Sequence, residues 1–134
     1  MKNNRTVIII LLAIIAIAAI YYAYDTYEKN KEKDSKVTAI KDKVKEDLIN
    51  ILAHAQQYYK KPANLGGGGH SFNGFEIPTT LDYSSIASFN INEQNDNKIV
   101  IQAEFISLDA GGIPPIKMIG TADSNGDINI QDID

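Results

Sequence analysis

Val7-Ile8-Ile9-Ile10-Leu11-Leu12-Ala13-Ile14-Ile15-Ala16-Ile17-Ala18-Ala19-Ile20 runs straight into Tyr21-Tyr22-Ala23-Tyr24, with no charge, glycine or proline anywhere in it. Counted from Thr6, nineteen residues are uninterrupted. As a helix they span about 28 Å, close to the hydrocarbon thickness of a bilayer. Lys2 and Arg5 precede the run, so the positive-inside rule predicts a cytoplasmic N-terminus and everything after Asp25 outside. Tyr21, Tyr22, Tyr24 and Tyr27 gather at the outer end, where amphipathic rings favour the headgroup region. A stacked-aromatic electron path is a second reading of these tyrosines; an interfacial belt is the simpler one. A cleaved secretory signal also has an apolar core, but of about 7–15 residues ending in a small-x-small site. Here the run is longer and ends in bulky rings.

Outward from this run, no glycine or proline occurs before Pro62, so nothing in the backbone chemistry interrupts a helix from Thr6 to Lys60. Some 55 such residues extend roughly 80 Å. A charged collar, Glu28 to Lys36, follows the apolar part. Then Val37, Ile40, Val44, Leu48, Ile51, Ala55 and Tyr58 recur at steps of three and four, one face of a helix. A coiled-coil seam would use the same spacing, but a stripe leading directly into a β-rich segment reads as that segment's core face.

Lys61-Pro62 ends the helix. Four consecutive glycines, Gly66 to Gly69, require a loop, because they carry too much backbone entropy for the interior of an element. A phosphate cradle would need a strand before the glycines and Gly-Lys-Ser/Thr after them, and neither is present. Instead the glycines are expected to permit close packing beside the helix while Phe72 and Phe75 plug the core. From Ile86 the period changes to two. Ile86 to Asn92 and Lys98 to Ile106 read as strands around a turn at residues 93–97. After a loop from Asp109 to Pro115, Ile116 to Ala122 and Asp127 to Ile133 form a second pair, with Asn125-Gly126 signalling a type I′ hairpin. The expected fold is α+β, a long N-terminal helix packed on about four antiparallel strands. Its segments are 1–24 (apolar), 25–61 (amphipathic), 62–85 (connecting loop) and 86–134 (β domain).

The 134 residues leave room for one domain and an anchor. Charge is unevenly divided. Residues 25–61 hold nine lysines against seven acids, whereas residues 62–134 hold only Lys98 and Lys117 against ten acids. An acidic domain without a basic cluster argues against nucleic-acid binding. The absence of cysteine removes disulfides, thiol nucleophiles and Cys-ligated zinc. A soluble cytosolic enzyme is disfavoured, and no cofactor or catalytic constellation stands out. Asp123, Asn125, Asp127, Asn129 and Asp134 match a calcium-loop spacing, but Ile128 occupies the position that requires glycine, so a hairpin is the better reading. His54 and His70 lack metal-ligand spacing. His54, beside the apolar stripe, is expected to pack.

The stretch from Tyr58-Tyr59-Lys60-Lys61-Pro62 through Gly66-Gly67-Gly68-Gly69 to Phe72 and Phe75 resembles the helix-to-sheet junction of a group of bacterial pilin-like proteins. The whole chain, with its basic leader, extended helix, glycine loop and antiparallel sheet, resembles type IV pilins and pseudopilins. The resemblance implies a helical homopolymer of identical subunits, held in the inner membrane before assembly. Ile8, Ile9, Leu11, Leu12, Ile15, Ile20 and Tyr21 would then form the filament core, and the β domains would lie outside. The chain departs from that family in having no glycine before the run, Arg5 where an acid is expected, and no helix-softening Gly or Pro in the apolar half. A pseudopilin that stays in the envelope and a single-pass membrane-anchored binding module are the other readings.

Overall fold

A computed structural model describes residues 2–82, 86–105 and 113–133 of the chain. Residues 109–112 of the expected Asp109–Pro115 loop, the strand end at Ile106, and Asp134 of the calcium spacing lie outside them. Helix α1 spans Lys2–Lys60, 59 residues without a break, as expected where neither glycine nor proline intervenes. The chain divides into two compact units, Met1–Val37 and Thr38–Asp134.

In the first unit, no side chain from Asn4 to Val37 is buried. Its polar end is laced with bonds one helical turn apart. Lys29 pairs with Asp25 at 2.6 Å, Lys36 with Glu32 at 2.7 Å, and the Tyr24 hydroxyl donates to Glu28 at 3.0 Å. The hydrogen bond and charge of Lys36 hold the Glu32 carboxyl below its ordinary value.

The second unit is the folded domain. Strands β1 (Ala87–Gln94), β2 (Lys98–Phe105), β3 (Lys117–Asp123) and β4 (Ile128–Asp132) form one antiparallel sheet in sequence order. Burial alternates along β2 and β3, placing Ile99, Ile101, Ala103, Met118 and Ala122 on one face. Against that face lie Val44, Leu48, Ile51, Leu52 and Ala55 of α1, all fully buried. Gly120 sets the distance between the two layers. A Cβ there would stand 2.7 Å from Leu52 Cδ1 and 2.9 Å from Leu48 Cγ, so only glycine lets β3 approach the helix this closely. Lys41 pairs with Asp132 at 3.0 Å, tying the helix to the edge strand. A β-bulge between Ile91 and Glu93 skips Asn92 in the pairing with β2.

Three details differ from the sequence reading. The 62–85 segment is not all loop: it holds a 3-10 turn, Ala63–Leu65, and a four-residue helix α2, Thr79–Asp82. His54 is exposed rather than packed. At about 100° per residue, buried Val44, Leu48, Ile51, Leu52, Ala55 and Gln56 share one arc of the helix, and His54 falls outside it on the side away from Leu52 and Gln56. The β3–β4 turn is not type I′, because Gly126 (φ 95°) has positive φ and Asn125 does not.

Candidate functional site

The apolar half of α1 is a candidate assembly or membrane surface. Leu11 is 53% exposed and Tyr21 75%, with Ile8, Ile9, Leu12, Ile15 and Ile20 between them. Isolated exposed apolar residues need no explanation, but a contiguous helix apolar on every side does. Among the described residues, α1 is the one helix long and apolar enough to cross a membrane. A surface with no polar group can exclude water, take up lipid or pack against other helices. Tyr22, Tyr24 and Tyr27 are exposed where the apolar run gives way to charge.

The helix-to-sheet junction is built from the carbonyls that α1 leaves unpaired at its C-terminus. The amide of Gly68 donates to Tyr58 O at 2.7 Å, that of Gly69 to Lys61 O at 2.9 Å, and that of His70 to Tyr59 O at 2.9 Å. Gly67 N–H donates to Pro62 O at 3.1 Å, and Gly66, left-handed at φ 78°, closes the 3-10 turn. The glycine loop is therefore an extended helix cap. The amides of Gly68 and His70 return to α1 and those of Gly67 and Gly69 to Pro62 and Lys61 just beyond it, which leaves none from Gly67 to His70 to cradle a phosphate. A Cβ on Gly67 would collide with the Lys61 carbonyl, and one on Gly68 with the Ser71 carbonyl and the Tyr58 ring.

Aromatic packing completes the junction. Phe72 is fully buried and stacks on Tyr59 with ring centroids 4.7 Å apart, while Phe75 meets Tyr58 edge-on at 5.7 Å. The Gln94 amide donates to both the Phe72 and Phe75 carbonyls, at 2.6 and 2.9 Å. Asp96 Oδ1 accepts from Ser71 Oγ at 2.7 Å and from Asn73 Nδ2 at 2.8 Å, fastening the loop to the β1–β2 turn. The sequence reading singled out neither Gln94 nor Asp96. Gly68→Ala is expected to destabilise the domain by about 2 kcal/mol, since backbone must move to admit the methyl. Gly66→Ala, with open space around it, should cost about 1 kcal/mol for its positive φ alone. Urea unfolding of the full-length chain in detergent, followed by circular dichroism, measures both.

At the β3–β4 turn, Asp123 Oδ1 accepts the amides of Asn125 and Asp127 at 2.9 and 3.0 Å, and Gly126 N–H donates to Asp123 O at 3.1 Å. A three-residue loop closed by a left-handed glycine is the next commonest hairpin after the two-residue forms. The Asp123 carboxylate is thus engaged in the turn, and Asn129 has become part of β4. No group of three or more His, Cys, Asp or Glu placed to hold a metal occurs among the described residues. Gly126→Val should cost about 1–2 kcal/mol by the same unfolding assay, because a β-branched residue is strained at φ 95°. Gln56 was also missed by sequence. It is 7% exposed, and its Nε2 donates to Asp123 O at 2.6 Å, anchoring the turn to α1.

No protein-family model, curated protein or solved structure matches the chain.

Proposed function

We propose that the protein is a structural subunit of an extracellular pilus-like filament, assembled through the first half of α1 with the acidic β domain outside. One observation carries this reading. The domain buries its own core, yet the apolar helix of the same chain leaves every large side chain more than half exposed. Residues 7–24 contain seven Ile, two Leu and one Val. Burying them in lipid or in a helix bundle is worth roughly 15–30 kcal/mol, before the entropy of association is subtracted. In the membrane, Lys2 and Arg5 hold the N-terminus in the cytoplasm, and the domain faces outward. After assembly, the acidic domains coat the fibre and repel one another enough to limit lateral clumping.

The same exposed helix serves a single-pass anchored module, and mechanical shear separates the two readings. A filament subunit is recovered in the sheared, sedimentable surface fraction as well as in membranes. An anchored module stays wholly with the membranes, and that result would remove the filament reading.

A further inference from the structure

The collar that follows the apolar run is not charged at random. Asp25, Glu28 and Glu32 recur at steps of three and four, and Lys29, Lys33 and Lys36 at steps of four and three. At about 100° per residue these form two parallel stripes of opposite sign, with centres about 75° apart on the helix surface. Lys31 and Asp34 lie off both stripes. The stripe side chains lie at the surface: Lys29 is 73% exposed, Lys36 64%, Glu32 67% and Asp25 49%. Their intrahelical pairs are therefore open to exchange with groups on another molecule.

We infer that the collar is a self-recognition surface, in which the acidic stripe of one copy lies along the basic stripe of a second copy of this chain. This rests on reading the apolar half of α1 as a membrane span. Copies inserted with the same orientation in one bilayer are parallel, and a collar that starts directly after the span stands at the same depth in each. Lys29 and Lys33 of one helix then come level with Glu28 and Glu32 of its neighbour. Such a contact uses a different stripe on each partner, so every copy keeps a free stripe for the next one. Exposed ion pairs add little affinity, but they fix register and partner choice. The apolar segment supplies the attraction, and the collar decides the alignment.

The test removes one stripe at a time and adds no positive charge outside the span, so the lysine balance that orients it is not reversed. One chain keeps only the acidic stripe (Lys29→Gln, Lys33→Gln and Lys36→Gln) and another only the basic stripe (Asp25→Asn, Glu28→Gln and Glu32→Gln). Full-length chains with donor or acceptor fluorophores are co-expressed, and energy transfer is read in intact membranes at low salt. Wild-type pairs and mixed pairs of the two single-stripe chains should both transfer energy, while each single-stripe chain paired with itself has no opposite stripe to meet and should fall at least about threefold below them. Equal transfer in all combinations overturns the inference, as does wild-type transfer no greater than that of an unrelated membrane protein. The filament reading is judged separately. Absence of surface fibres where wild-type pairs still transfer energy contradicts the filament and leaves the pairing intact. Fibres built from either single-stripe chain alone as readily as from the wild type contradict the pairing and leave the filament intact.

Discussion

Gly120→Val is expected to destabilise the folded domain by about 3 kcal/mol, a large share of the 5–15 kcal/mol that holds a typical domain together. The added Cβ would lie within 3.0 Å of atoms of both Leu48 and Leu52, which are fully buried. Valine is a favoured strand residue, so any loss comes from packing rather than from strand propensity. Leu52→Ala alone leaves a cavity and should cost about 2–5 kcal/mol. In combination with Gly120→Val it makes room for the new side chain, and the pair should cost at least about 1 kcal/mol less than the two separate losses together. Denaturant unfolding of the four full-length chains in detergent measures the coupling. Strict additivity would mean that Gly120 does not set the helix-to-sheet distance.

Ile15→Ala should leave the amount of protein in the membrane unchanged, because the segment remains apolar over its whole length. In a close-packed filament core the lost side chain removes about 2–5 kcal/mol from every subunit. Fibres should accordingly become scarce or break under mild shear. A helix surrounded by fluid lipid has no fixed neighbours at that position and should show no defect. Quantitative blotting of membrane and sheared fractions separates the outcomes. Ile15→Asp is the harsher companion, since an acid at mid-span costs about 2.5–3.5 kcal/mol on insertion and lowers membrane levels in either case.

Much of this architecture is legible from residue order alone. An unbroken stretch without glycine or proline predicts α1 to its last residue, and the shift to a period of two after Ile86 predicts all four strands to within about two residues. What stays hidden is what depends on partners distant in the chain. A lone glycine in a strand signals either a bulge or a close approach, and only the juxtaposition with Leu48 and Leu52 identifies Gly120 as the latter. The four glycines announce a loop, but not that the amides of Gly68, Gly69 and His70 return to the carbonyls of Tyr58, Lys61 and Tyr59. Asn125-Gly126 marks the hairpin correctly yet misleads about its type, because Asp123 captures the following amides and draws the turn into a three-residue form. Gln56 sits one position past the apolar stripe, where a polar residue reads as solvent-facing until its bond to Asp123 O is seen.

The apolar helix is the centre of the functional account, so the most direct measurement looks for the fibre it would build. Cells expressing the protein are labelled with gold-conjugated antibody against the β domain and viewed by negative-stain electron microscopy. A filament subunit gives gold at regular density along the full length of thin surface fibres, and deletion of the gene removes those fibres. Gold confined to the cell envelope, with fibres absent or unlabelled, would contradict the account.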